Sequence, residues 1–146
     1  MDMGNFFLVP VNYLAVLLCG ISSMVIGFIW YGPLFGKEWT KLVGSTPKKT
    51  AEKVAGIPQT YIIMFISSLV MAYALAHFIW YAAPGSLTLF ISIKTAVWAW
   101  VGFAVTVGLT KYLYSPDKKP LKLFYIEIGY HLVSLVFMGI IFYIFR

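Results

Sequence analysis

The chain has 146 residues, of which 61% are hydrophobic and 11% charged. Soluble domains carry about 25% charged and about 45–50% apolar residues, so this is the composition of a membrane protein, and the length holds a single helical bundle with no second domain. The net charge of +6 does not point to nucleic acid, because the lysines fall in loops between apolar runs, where the positive-inside rule puts them.

The first ten residues contain no basic residue, and no small-x-small cleavage site follows the apolar run. The first span is therefore expected to be retained as a transmembrane helix rather than removed as a signal peptide. It should occupy about residues 9–31, since roughly 20 apolar residues at 1.5 Å each cross a bilayer. Ser23 and Gly27 form a small-xxx-small pair on it, a seam for close helix packing. Cys19 is the sole cysteine, which rules out an intrachain disulfide, and it reads as a buried structural thiol.

After the span comes Trp30-Tyr31-Gly32-Pro33-Leu34-Phe35-Gly36-Lys37-Glu38-Trp39. Trp30 and Tyr31 suit the headgroup level, and Gly32-Pro33 is expected to end the helix. Leu34, Phe35, Trp39, Leu42 and Val43 recur at helical spacing while Lys37, Glu38 and Lys41 project elsewhere, which predicts a short amphipathic helix in the interface. Thr46-Pro47 has the form of an N-cap followed by proline, starting a second short polar helix that runs to about residue 55.

Span two is expected at about residues 59–82, with Ser68, Ala72 and Ala76 as a small-residue stripe and His77 near its far end. The uncharged Ala83-Pro84-Gly85-Ser86 turn predicts an antiparallel hairpin with span three, at about 87–112. Lys94 lies about six residues into that span, roughly 9 Å deep, where its stem can snorkel outward or its ammonium can turn toward span four. Span four, at about 121–145, is almost wholly apolar yet carries Glu127, Tyr130, His131 and Ser134 on one helical face. A lipid-facing carboxylate is costly, so this face should turn toward protein or a wet cavity.

Lys37, Lys41, Lys48, Lys49 and Lys53 follow span one, and Lys111, Lys118, Lys119 and Lys122 lie around the turn before span four, against Arg146 alone at the other side. This bias predicts a cell-membrane protein with both long loops cytoplasmic and both termini outside. A two-plus-two internal repeat is weakly signalled: Tyr31-Gly32-Pro33 echoes Tyr114-Ser115-Pro116, and Ser68-Leu69-Val70 echoes Ser134-Leu135-Val136.

Four ionisable residues fall inside spans: His77, Lys94, Glu127 and His131. Glu127 and His131 are an i,i+4 pair able to share one proton. Read structurally, these groups glue a bundle or an oligomer together. Read functionally, they line a proton, ion or small-solute path. A metal site of His77, Glu127 and His131 has the right ligand types, but the first two should differ in depth and no compact metal motif is present, so no metal is assigned. Ser134 and His131 share a helix without a nucleophile-elbow motif, and no Gly-rich phosphate loop occurs, so neither catalytic residue nor cofactor is assigned.

Together, Trp30 to Trp39, Met71-Ala72-Tyr73-Ala74-Leu75-Ala76-His77, Trp100-Val101-Gly102-Phe103 and Gly129-Tyr130-His131-Leu132-Val133-Ser134 resemble the domain-of-unknown-function family 1761. The resemblance spans nearly the whole chain and implies a small four-span membrane protein. Its marked positions are Tyr31, Pro33, Phe35, Gly36, Lys37 and Trp39, then His77, Gly102, Gly129, Tyr130 and Ser134; Lys94 and Glu127 fall outside the pattern. The resemblance brings no activity with it.

The expectation is an all-α polytopic membrane protein, four transmembrane helices plus a short interfacial amphipathic helix after the first span. Small-residue seams on spans one to three predict a homo-oligomer in the lipid bilayer, with room for an unidentified membrane partner. The leading functional expectation is a non-enzymatic structural or accessory component. The alternative is a small channel or transporter using Glu127, His131 and Lys94, and the third is a membrane enzyme on a lipid substrate.

Overall fold

A computed structural model describes residues 9–44, 58–116 and 119–145. The expected second polar helix after Thr46-Pro47, together with Lys48, Lys49, Lys53, Lys118 and Arg146, lies outside the described residues. The described chain is all-α. Helix α1 (Tyr13–Ile29) runs into a π-helical turn, Trp30–Leu34, and the short α2 (Gly36–Val43) follows. Helix α3 is Pro58–Ala82; α4 (Leu89–Ala99) passes through a π-helical segment, Trp100–Val105, into α5 (Thr106–Leu113); and α6 is Leu121–Ile144. Four stretches are long and apolar enough to cross a membrane: Tyr13–Leu34, Gln59–Ala82, Leu89–Leu113 and Leu121–Ile144. This is a multi-pass membrane protein.

The element boundaries have local causes. Span one starts at Tyr13 rather than at residue 9 because Asn12, in extended conformation, caps it by accepting a hydrogen bond from the Ala15 amide. Thr88 does the same for α4 through the Ile91 amide. Gly32-Pro33 does not end the first helix as expected. The helix widens instead, with the Phe35 amide reaching back five residues to the Trp30 carbonyl at 2.9 Å. A wider turn moves the preceding carbonyl away from the proline ring, so the chain keeps turning past Pro33. The break falls at Phe35 (φ −117°, ψ 2°), from which α2 departs. Gly44, with φ +75°, closes α2 in the left-handed conformation.

Span four is the central element. It packs on α1, α3 and α4, and also touches α2, α5 and the second π segment. The core is built from small and branched residues of all four spans: Ala15 and Cys19, Ala72, Leu75 and Ile79, Ala96, and Leu135, Met138 and Phe142. Cys19 is buried and free, and its thiol points at the Met138 carbonyl, 3.7 Å away. Spans three and four touch through Ser92, whose hydroxyl donates to the Gly139 carbonyl at 2.6 Å. Spans one and two meet where Gly20 faces Leu69 and Phe65. At the end away from the lysines, the Asn12 side-chain amide donates to the Phe145 carbonyl at 2.8 Å, tying the start of span one to the end of span four. The outer surface carries apolar side chains such as Phe90 and Val107, as lipid contact requires.

The seams that predict a homo-oligomer are largely filled within one chain: Gly20 by Leu69, Gly27 by the Tyr130 ring and Gly108 by Ile128 and Phe124. Gly102 is open, with nothing within 4 Å.

A β-carbon at position 139 would sit 3.1 Å from the Ser92 carbonyl oxygen, a backbone atom that has little room to move. Gly139→Val should therefore wedge spans three and four apart. The cost expected is about 1–3 kcal/mol, read as a lowered thermal midpoint in detergent, whereas Gly102→Ala should leave it unchanged.

Candidate functional site

Two tryptophans fix the register of span four. Trp30 opens the first π-helical turn and Trp100 opens the second. The Trp30 indole donates to the Ile126 carbonyl at 3.0 Å, and the Trp100 indole donates to the Ile128 carbonyl at 2.7 Å. The two bonds bracket Glu127. Trp30 also lies against Gly129, where a β-carbon would meet its ring at 3.0 Å. The internal correspondence in the structure is thus Trp30-x-Gly32 with Trp100-x-Gly102, each in a π segment on a span leading to the lysine-bearing end. It differs from the pairing of Tyr31-Gly32-Pro33 with Tyr114-Ser115-Pro116, because the latter lies beyond the end of α5. π-helical turns recur at functional sites because they re-aim side chains that an α-helix would hold elsewhere.

With span four held in this rotation, Tyr130 becomes the hub. Its hydroxyl lies 3.0 Å from the Ser23 hydroxyl and donates to the Ser23 carbonyl at 3.3 Å. The Ser68 hydroxyl, which donates to its own Met64 carbonyl at 2.9 Å, lies 3.4 Å from Ser23. A chain of hydroxyls so joins spans two, one and four. The Tyr130 ring packs on Tyr31 and His131, with centroids 5.4 and 5.0 Å away, and Tyr31 meets the edge of Trp39 at 5.6 Å.

Beyond this knot, toward the lysine-bearing end, the helices part around a cavity of about 920 Å³. Span one contributes Ser23, Met24, Gly27, Phe28, Tyr31 and Gly32; α2 contributes Gly36, Lys37, Trp39 and Thr40; span two contributes Thr60, Tyr61 and Met64. Lys111 comes from span three, and Glu127, Tyr130 and His131 from span four. Ordinary small-ligand sites run from about 300 to 1,000 Å³, and this one is at the upper end. Gly36 permits the tight exit from span one: a β-carbon there would lie 2.5 Å from the Tyr31 carbonyl oxygen.

Charges are arranged around this space. Lys111 reaches Glu127 at 4.0 Å, a loose pair. Outside the cavity, Lys122 at the start of span four binds Glu38 of α2 at 3.0 Å, which ties the short helix to the bundle. The Lys122 ammonium, hydrogen-bonded to Glu38 and beside it, holds that carboxyl below the usual carboxylate range.

The sequence-predicted residues are thus sorted. Glu127, Tyr130 and His131 come together with Tyr31, Gly36, Lys37 and Trp39. Trp30 and Phe35 stand behind them, packed on each other at 4.7 Å, and Pro33 is exposed. Lys37 is exposed, as its helical position suggests, and also borders the cavity. Ser134 shares the face but lies a turn deeper, fully buried with its hydroxyl unpartnered. Lys94 and His77 are elsewhere. Lys94 is exposed near the other end of its span, its ammonium 6.0 Å from the Phe90 ring. His77 packs against the Tyr73 ring at a tilt and bonds the Tyr73 carbonyl at 2.8 Å, 17 residues and about 25 Å along span two from Thr60. Lys111 takes the place beside Glu127 that Lys94 was considered for. Its signal was present in the sequence, but as one of the lysines setting orientation. Ser23 and Gly27 were visible as a small-residue pair, and nothing in their spacing marked them as cavity wall.

The sequence matches the family described as "Protein of unknown function (DUF1761)" over residues 14–143. The chain belongs to the DUF1761 family. No curated protein and no solved structure matches it. The family match covers all four spans and the whole cavity wall, so the site lies in the DUF1761 domain itself and not in an appendage.

Three outcomes follow from these contacts. Tyr130→Phe should lower stability by about 1 kcal/mol through loss of the bonds to Ser23. Ser134→Ala removes an unpartnered buried hydroxyl and should be neutral or stabilising in the same melts. The Glu38–Lys122 bridge, having a lowered carboxyl pKa in the folded state, contributes above the ordinary carboxylate value of about 4.3 and is lost as the pH falls through the depressed value. The melting difference between wild type and Glu38→Gln should accordingly be small but positive near neutrality, since both partners are well exposed, and should shrink toward zero in acid.

Proposed function

We propose that this DUF1761 protein is a membrane-embedded binding protein that takes a small, mostly apolar molecule into the cavity beneath α2. One observation carries the reading. The aromatic segment after span one and the polar face of span four, far apart in sequence, both line the same cavity. Polar groups that served only to glue helices would be packed against one another. Ser23, Ser68 and Tyr130 are so packed, although Ser23 and Tyr130 also reach the cavity, while Glu127, His131 and Lys37 border it without a hydrogen bond among themselves. An accessory structural role remains compatible with the hydroxyl knot, but it leaves the cavity without a purpose.

The reading is of a binder and not an enzyme. The wall has aromatic and amphipathic surface for holding a ligand, and its buried hydroxyls, Ser23 and Thr40, are hydrogen-bonded to Tyr130 and to the Gly36 carbonyl and not to His131. A second reading, transport of a solute or proton, draws on Glu127 and His131 both bordering the cavity. Under it, Glu127→Gln should change the pH dependence of flux in proteoliposomes. The lysine bias supports a cytoplasmic position for the cavity end and outside termini, and protease accessibility of the termini in sealed vesicles tests that placement.

Native mass spectrometry of protein extracted gently from its own membranes should show a reproducible added mass on the wild type. The same measurement reads the copy number of the assembly. Thr60→Trp, which places a large ring in the cavity wall, should lose the added mass with the melting temperature preserved. A bare wild-type protein would overturn the binding reading and favour a structural one.

A further inference from the structure

The proposal above says that the cavity binds; its walls also carry information about what it binds. Three of the apolar lining residues are turned partly outward as well. Phe28 is 72% exposed, Met64 45% and Tyr61 37%. Phe28 lies on span one and the other two on span two, so the gap between these spans opens toward the bilayer hydrocarbon and not only toward water. Spans one and two touch at Gly20 and at Ser23–Ser68, and beyond Ser23 residues of both, Gly27 and Phe28 on one side and Tyr61 and Met64 on the other, line the cavity. A ligand with an apolar body can enter there without crossing the headgroup layer.

The head of the ligand would meet charge. The described walls hold two cations, Lys37 and Lys111, and one anion, Glu127. Glu127 already has Lys111 at 4.0 Å, and the nearby carboxylate of Glu38 is held by Lys122 at 3.0 Å. Lys37 is left as a cation on the cavity wall with no carboxylate partner among the described residues. Both Lys37 and Lys41, one turn further along the same helix, are exposed, but only Lys37 borders the cavity. The aromatic walls taken alone would suit an organic cation. Two lysines at the same cavity disfavour a cation, and Glu127, the one carboxylate on its described walls, already has Lys111 nearby. An anion bound at Lys37 would also gain charge-assisted hydrogen bonds, which are stronger than neutral ones.

We propose that the cavity takes a lipophilic anion, an apolar body with a carboxylate or phosphate head, entering sideways between spans one and two with its head at Lys37. This rests on the binding reading above and adds the chemical class and the route. Lys37 is the specificity-determining contact and Lys111 holds Glu127 out of the anion's way.

The test uses the whole protein in an uncharged sugar detergent, titrated with dodecyl phosphate, dodecanoate, dodecyltrimethylammonium or inorganic phosphate, with tryptophan fluorescence and melting temperature as readouts. Dodecyl phosphate or dodecanoate should bind, the cation should not, and inorganic phosphate alone should bind at least about tenfold more weakly because it lacks the apolar body. Lys37→Gln should weaken anion binding about tenfold or more, Lys37→Arg should retain it, and Lys41→Gln should stay within about twofold of wild type. Lys37→Glu should shift preference toward dodecyltrimethylammonium, a reversal that a merely structural role for Lys37 would not produce. Binding of the cation as tight as that of the anions, or anion binding unmoved by Lys37→Gln, overturns the proposal. Equal binding of inorganic phosphate would mean a free water-borne anion and overturn the bilayer route. If native extracts carry a cavity-dependent mass but none of these anions binds, the binding reading survives and this assignment of class falls. If the extracts are bare as well, both fall.

Discussion

The structure depends on how span four disposes of a carboxylate and a phenol that it holds within an otherwise apolar run. Placing Glu127 toward lipid would be costly, though less so than the about 2.5–3.5 kcal/mol of a central carboxylate, since it lies about 9 Å inside the end of span four. Span four must therefore be rotated so that Glu127, Tyr130 and His131 face inward, and something must hold it in that rotation. The indoles of Trp30 and Trp100 supply the hold, each donating to a carbonyl beside Glu127. Each tryptophan sits at the start of a π-helical segment, and each segment contains a glycine two residues later. Local widening of spans one and three is thus part of the same arrangement that fixes span four.

A bundle of short apolar helices closes best around small residues, and this one does so in its deeper half. Ala15, Cys19, Ala72 and Ala96 let the spans approach, and Ser92 and Cys19 place side-chain donors near span-four carbonyls. Toward the lysine-bearing end the cavity is lined by both rings and glycines, Tyr31, Trp39, Tyr61 and Tyr130 beside Gly27, Gly32 and Gly36, with α2 at its wall and secured by the Glu38–Lys122 bridge.

Function at such a site is a matter of what the space admits. The hydroxyl knot of Ser68, Ser23 and Tyr130 forms the floor. Aromatic faces form much of the wall, and the charged groups stand at the end where lysines gather. The floor lies between apolar helices, and the charged groups stand nearer the end of the bundle. This division is what the proposed amphiphilic ligand would require.

The amino-acid sequence by itself determined the number of spans, the short helix after the first, and the one polar face of span four. These follow from hydropathy and from the 3.6-residue period, which are local properties. It also marked Tyr31, Gly36, Lys37 and Trp39 as a cluster and Glu127, Tyr130 and His131 as another. Which clusters meet was decided only by tertiary structure. Lys94 and Lys111 lie on the same span, 17 residues apart, and composition gives no reason to prefer either as the neighbour of Glu127. Only the direction in which antiparallel spans run past one another brings Lys111 level with Glu127 and carries Lys94 and His77 to the far end. Pro33 likewise reads as a helix end from its missing amide hydrogen. Whether the chain breaks there or widens depends on the packing of Trp30 against span four, a long-range contact that no local pattern contains.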